Sequence, residues 1–166
     1  MTRDSKLRDD RLVFYADDVE RLEGELDGFL ELSGARSAFL IDRDGHLVTR
    51  RGEPMAQSME SVSALIAGSF AATREMARQL GENEFSVLFH QGARDSIQLQ
   101  LVGERTLLAI VFDQRTNLGL VRFYAKEAAR RLEGVFGEIS NRPASKQPML
   151  SDNFSEDAAA ALDKLF

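Results

Sequence analysis

The spacing of apolar residues along the chain predicts three helices. From Asp17 onward, apolar side chains recur every three or four positions, and Gly34 supplies a C-terminal stop for this first helix. Residues 59–80 contain no proline, show the same periodicity and are followed by Gly81, which predicts a second helix. A third helix is indicated over residues 121–139, with a charged outer side. The positions that define the three stripes are Val19, Leu22, Leu26, Phe29 and Leu30, then Val62, Leu65, Ile66, Thr73, Met76, Ala77 and Leu80, then Val121, Tyr124, Ala128, Leu132, Val135 and Ile139.

Five short segments between these helices have the composition of β-strands. Ser96–Val102 alternates strictly between apolar and polar side chains, which is the period of a strand with two different faces. Asp44 followed by Gly45 is a strong hairpin signal between the first two segments, and Gly92 and Gly103 supply later turns. The five predicted strands are Ala38–Ile41, His46–Thr49, Phe85–His90, Ser96–Val102 and Leu107–Phe112.

The predicted element order is therefore αββαβββα, in an α+β fold. Tight turns join every pair of consecutive strands that no helix separates, so we expect one five-stranded, mainly antiparallel sheet. The chain divides into a flexible N-terminus at 1–11, one domain at 12–140, a linker at 141–153 that contains two prolines, and a C-terminal docking helix at 154–166. That helix is too short to be stable alone. Its spacing leaves open whether it docks on another protein or packs on its own domain.

Composition and charge narrow the classes of function. The 166 residues suit one domain, and a net charge of −6 argues against a nucleic-acid partner, since phosphate binding needs a concentrated basic face. The absence of cysteine excludes disulfides and thiolate metal sites. No apolar run approaches the roughly 20 residues of a membrane span, and the N-terminus lacks an apolar signal core. We therefore expect a cytoplasmic protein that does not insert into membranes.

Common catalytic motifs are absent from the sequence. Without G-x-x-x-x-G-K-[ST] the chain is not expected to bind GTP itself, and the usual hydrolase, zinc-protease and dinucleotide motifs are missing too. The run from Asp42 to Gly45 superficially resembles a calcium loop. Because His46 and Leu47 stand where that loop needs other residues, a hairpin turn is favoured. We expect no catalytic residue, no metal and no cofactor.

The second predicted helix has two contrasting sides. At about 100° per residue, the stripe that includes Leu65, Ile66 and Met76 is expected to face the protein's own core. The opposite side carries small side chains where a solvated helix ordinarily has Lys, Glu and Gln. These small-side positions are Ala64, Ala67, Gly68 and Ala71, with Glu75 one turn further on. Glycine inside a helix costs up to about 1 kcal/mol relative to alanine, which favours a close contact with another protein. The alternative is that alanine simply forms helices well and that Gly68 packs against a loop of the same chain.

Five short motifs, taken together, resemble the roadblock/LC7 family. They are Phe39–Gly45 (FLIDRDG), Leu65–Ala72 (LIAGSFAA), Leu80–Phe85 (LGENEF), Phe89–Gly92 (FHQG) and Asn117–Arg122 (NLGLVR). The resemblance runs from about Leu12 to Ile139, includes the element order, and is specific as a set. It implies that residues 12–140 form a roadblock/LC7 domain, with the sheet between one helix on one face and two on the other.

The resemblance also implies a function. It points to a homodimer in which the second helices lie side by side and the sheets join through the strand of Phe85–His90. Such a dimer would not be an enzyme but a regulator that binds one Ras-like small GTPase of the MglA type. It would accelerate GTP hydrolysis by repositioning the GTPase's own Arg and Gln, without an arginine finger. Cell polarity or motility, and a place in the cytoplasm at a cell pole, follow from the same resemblance. The implied partner-binding positions are Ala64, Ala67, Gly68, Ala71 and Glu75.

The C-terminal segment is implied to have a separate role. Through Leu162, Leu165 and Phe166 it would reach another surface of the GTPase and aid nucleotide exchange. The alternative function is a non-catalytic roadblock scaffold that binds a GTPase or cytoskeletal complex without stimulating hydrolysis. A small-molecule sensor has less support, because the predicted strands show no convergent polar cluster.

Overall fold

The element order predicted from the sequence is confirmed. The structure, a computed structural model, describes residues 14–142. Its elements are α1 (Ala16–Ser33), β1 (Ser37–Asp42), β2 (Leu47–Gly52), α2 (Met59–Gln79), β3 (Val87–Gln91), β4 (Ser96–Val102), β5 (Thr106–Phe112) and α3 (Leu118–Ser140). The predicted N-terminal segment 1–11 and docking helix 154–166 lie outside the described residues, as does the predicted linker apart from Asn141 and Arg142.

The strands form one sheet in the order β2-β1-β5-β4-β3, and all four neighbouring pairs are antiparallel. β5 lies at the centre and is buried along its whole length, whereas β2 and β3 are the edges. The β1–β2 hairpin turns at Gly45, whose φ of 91° favours glycine. A Cβ added there would lie only 3.0 Å from the Cα of Ala64, so glycine lets the hairpin approach α2 closely.

Helices cover both faces of the sheet. α1 and α3 pack together on one face, where Leu22, Leu26 and Leu132 are fully buried. α2 covers the other face, above a cluster that includes Phe39 and Leu99. The predicted arrangement of one helix on one face and two on the other is thus confirmed. Because both faces are covered, the polar positions of β4 do not all meet solvent, and Gln98 is only 1% exposed.

The connection between α2 and β3 differs from the prediction. The pattern predicts a strand from Phe85, whereas β3 begins at Val87. The ring of Phe85 packs instead on the ring of Phe70 from α2, with centroids 5.2 Å apart. Burial of this aromatic pair against the helix therefore fixes the path of the chain before the strand begins.

A buried ion pair joins the end of α3 to the start of α1. The guanidinium of Arg142 donates to both carboxylate oxygens of Asp18, at 3.1 and 2.5 Å, and Asp18 is 1% exposed. Asp18 also accepts a hydrogen bond from the backbone N–H of Tyr15 at 3.0 Å, which satisfies a donor at the start of α1. The hydrogen bond from Arg142 lowers the pKa of Asp18 below its ordinary value of 3.8.

Replacing Asp18 with asparagine is expected to lower the free energy of unfolding at neutral pH by about 1–3 kcal/mol, because Arg142 loses a buried charged partner. A lowered folded-state pKa contributes stability above pH 3.8 that is lost as the pH falls through the folded value. The deficit of Asp18→Asn should therefore shrink in acid. Urea unfolding at several pH values measures it, with Asp17→Asn at the exposed neighbour as the control. An equal deficit at all pH values would contradict the ionic role.

Candidate functional site

α2 contacts its own sheet through a stripe that overlaps the predicted one only in part, since Ile66 is buried as predicted. Its buried residues are Ser63, Ile66, Ala67 and Phe70. Leu65, Met76 and Leu80, which were predicted to face the core, are 73%, 58% and 80% exposed, so that prediction is wrong. Successive residues are about 100° apart around a helix. Leu65 is consequently turned away from the sheet that its neighbour Ile66 contacts.

The side predicted to bind a partner is exposed at four of its five positions. These are Ala64, Gly68, Ala71 and Glu75, which we call the small face. The prediction that Ala67 belongs to this side is wrong, because Ala67 is only 7% exposed. It lies four residues after Ser63 and three before Phe70, a spacing that places all three on the sheet-facing stripe.

A third side of α2 is both exposed and apolar. Leu65, Ala72, Met76 and Leu80 follow one another at intervals of seven, four and four residues and form what we call the apolar stripe. Scattered exposed hydrophobic residues are ordinary, but large ones aligned along one helix are typical of a protein interface. No charged residue occurs between Glu60 and Arg74, so the middle of the helix offers no charge to solvent on either exposed side.

Gly68 lies in the middle of the small face and is uncovered. A Cβ added at Gly68 would meet no atom within 4 Å. Within residues 14–142, no loop therefore packs against this glycine, and the interpretation that it serves packing inside its own domain is not supported there. An open glycine instead lets the backbone of a partner approach the helix closely.

Glu75 brings a negative charge to the small face, and this charge is paired within α2. Its carboxylate accepts two hydrogen bonds from Arg78, at 2.7 and 3.0 Å, and one from Gln79 at 3.3 Å. These bonds, the one from Arg78 foremost, lower the pKa of Glu75. Glu75 is thus ionised at neutral pH, and an approaching surface meets an ion pair rather than an isolated charge.

The sequence reasoning missed a second apolar surface, on the opposite side of the sheet. Leu32 of α1 and Leu120 and Phe123 of α3 are 61%, 44% and 69% exposed. Leu32 lines a groove of about 270 Å³ between the two helices, together with Gly28. The charged residues on the outer side of α3 obscured this surface. The three-residue spacing from Leu120 to Phe123 is the signal that could have revealed it.

Within residues 14–142, one candidate metal site is formed by Asp42, Asp44 and His46, whose possible ligand atoms lie within 4.8 Å of one another. Asp42 Oδ1 already accepts the backbone N–H groups of Asp44 and His46, at 3.0 and 2.9 Å. The hairpin turn therefore accounts for this cluster.

Across residues 14–142, none of the helices combines the length and apolar character that crossing a membrane requires.

Comparisons with known proteins agree with the resemblance seen in the sequence. A model of the Roadblock/LC7 domain matches residues 22–112. The gliding protein MglB from Thermus thermophilus is 35% identical, with a TM-score of 0.71 over 76% of this chain and 96% of that one. Myxococcus xanthus MglB is also 35% identical, with a TM-score of 0.72 over 79% of this chain and 98% of that one. An MglB structure with a tetrameric arrangement is 35% identical as well, with a TM-score of 0.72 over 77% of this chain and 96% of that one.

Proposed function

We propose, because this chain belongs to the Roadblock/LC7 domain family, that it is a homodimeric regulator of a Ras-like small GTPase of the MglA type. The observation that carries the proposal is the 35% identity to MglB from two bacteria over 96% and 98% of their chains. One of these relatives is described as a gliding protein. Control of cell polarity or motility, at a cell pole, is part of the same proposal.

The two exposed sides of α2 suit two different contacts. The apolar stripe would pack against the α2 of a second copy, since large aliphatic side chains gain most from burial. The open edge strand β3 would extend the sheet into that copy. The small face, now doubled by the symmetry of the dimer, would form the platform on which one GTPase sits. Ala64, Gly68 and Ala71 leave room for a closely approaching backbone.

The regulator would act without a catalytic group of its own. GTP hydrolysis by an isolated small GTPase is slow because its charge-stabilising and water-positioning groups are poorly placed. A rigid helix platform that fixes the switch regions of the GTPase would bring those groups into line, which is catalysis by positioning. Replacing any one arginine that forms no ion pair within the described domain should then have little effect on the stimulated rate of GTP hydrolysis.

Arg74 provides the sharpest test of this mechanism, because it lies on α2 near the small face and has no ion pair with another described residue. Arg115, by contrast, is bonded to Asp113 and to Glu53 at the far end of the sheet. We expect Arg74→Ala to leave stimulated GTP turnover within a few-fold of the original rate. Loss of an arginine finger costs about 10³–10⁵ in rate. A fall of that size with binding retained would show that Arg74 takes part in catalysis.

The proposal as a whole is tested by measuring GTP turnover of the cognate Ras-like GTPase with and without this protein. Faster turnover supports an activator. Binding of the GTP-loaded GTPase without any change in turnover would favour the alternative function, a roadblock scaffold. The part assigned to Leu162, Leu165 and Phe166 in nucleotide exchange lies outside the described residues and stays a prediction.

A further inference from the structure

A cavity of about 350 Å³ lies beside the C-terminal half of α2, on the same face of the sheet. The α2–β3 connection and the turns of the β1–β2 and β4–β5 hairpins complete its walls. Its lining includes four large apolar side chains, which are Phe70, Phe85, Leu101 and Leu107. A space of this size with an apolar lining suits the side chains of a peptide segment.

The rim of this cavity is cationic. Four arginines and three glutamates line it, which are Arg43, Arg74, Arg78 and Arg105, with Glu75, Glu82 and Glu104. Arg78 is bonded to Glu75. Arg43 and Arg74 form no ion pair with another residue of the described range. The cavity therefore favours an occupant that combines apolar side chains with carboxylates.

The chain leaves the described domain at the same end of the sheet as the cavity. Arg142, at the end of α3, is bonded to Asp18 at the start of α1. Earlier on α3, the side chain of Glu133 lies beside Gly103, in the β4–β5 turn that also forms part of the cavity wall. Residues 143–153 span at most about 36–40 Å when extended. This length is enough to pass around the end of the sheet and into the cavity.

We propose that this cavity binds segment 154–166 of the same chain. The segment combines apolar residues with three carboxylates and one lysine, namely Phe154, Leu162, Leu165 and Phe166, with Glu156, Asp157, Asp163 and Lys164. The groove between α1 and α3 is apolar too, but it suits this segment less well. Its charged lining residues are Glu25, Glu127 and Arg131, which sum to −1, whereas those of the cavity sum to +1.

Occupation of the cavity would affect the small face. Ala71 and Glu75 belong both to the small face and to the cavity lining. A segment bound there covers part of the surface that another protein would contact, so the two compete. The cavity contact itself does not depend on the identity of that protein or on the proposed function.

The full chain without its GTPase can test the contact, because it contains no cysteine and a single one can be introduced. A nitroxide spin label is attached to the variant Lys164→Cys, and the loss of amide NMR signal is measured along the chain. We expect strong loss at Ala71, Leu101 and Thr106 in the cavity, and none at Gly24 or Tyr124 in the α1–α3 groove. The opposite pattern, or no loss in the domain, overturns the proposal.

Variants that reverse the charge of single arginines test whether the contact depends on charge. Arg74→Glu or Arg43→Glu should remove the signal loss in the cavity, while Arg130→Glu, at an exposed arginine of α3, should leave it unchanged. Persistence of the loss in both cavity variants would contradict a charge-assisted contact.

Mixing spin-labelled chains with isotope-labelled chains shows whether the bound segment comes from the same chain or from a second copy. Signal loss in the mixture as strong as within one chain would mean that the occupant comes from a second copy.

Discussion

The double substitution Gly68→Arg with Ala71→Arg is expected to return GTP turnover to the rate of the GTPase alone. Both positions are exposed, and a Cβ added at Gly68 meets no atom within 4 Å, so we expect the domain itself to accommodate the change. In the proposed complex the same positions face the GTPase, where two unpaired guanidinium groups would lose their hydration. An unpaired buried charge costs several kcal/mol, and each 1.4 kcal/mol is tenfold in affinity. Single-turnover GTP hydrolysis and direct binding measure the loss.

A matched control is available on the opposite layer. Gly24 of α1 is also exposed and has no atom within 4 Å of an added Cβ. Gly24→Arg therefore adds the same side chain to a helix glycine away from the small face and should leave stimulation unchanged. If the double variant stays dimeric and still stimulates hydrolysis fully, the small face is not where the GTPase binds.

The periodicity of the sequence was sufficient to predict the elements and their order. Gly34 ends α1 as expected, with a φ of 72°, and Gly45 turns the first hairpin. These features are local, since a left-handed backbone position and a run of regular spacing are decided by neighbouring residues. The antiparallel pairing followed from the short connections between consecutive strands.

The orientation of α2 could not be predicted in the same way. A stripe of large apolar residues indicates that one side of a helix is covered, but not whether the cover is its own sheet or a second molecule. Leu65 and Met76 were assigned to the core because they share a stripe with other apolar residues. Small Ala67 and polar Ser63 are buried in their place. The stripe that packs on the sheet combines large Ile66 and Phe70 with these two small residues, so side-chain size alone does not identify the covered side.

The exposure of the apolar stripe has a consequence for assembly. Within one described chain the apolar stripe remains in solvent, at a cost that association would remove. Full burial of a leucine or methionine side chain stabilises by about 1.5–3 kcal/mol. In a twofold-symmetric contact each such residue is buried in both copies, so its stabilisation occurs twice. The apolar stripe therefore carries enough potential burial to hold a dimer, which is the assembly that the proposed function requires.

Leu65→Glu with Met76→Glu is accordingly expected to dissociate the proposed homodimer. The change removes two large apolar side chains per copy and places four carboxylates across one interface, so the dissociation constant should rise by about a thousandfold or more, equivalent to at least about 4 kcal/mol. Sedimentation equilibrium over a range of concentrations measures it, and stimulation of GTP hydrolysis should fall with the dimer fraction. Leu32→Glu with Phe123→Glu, at equally exposed positions on the α1–α3 side, is the matched control and should leave the dimer intact. Dissociation by the control pair but not by the stripe pair would move the dimer interface to the other side of the sheet and leave the apolar stripe for a different protein.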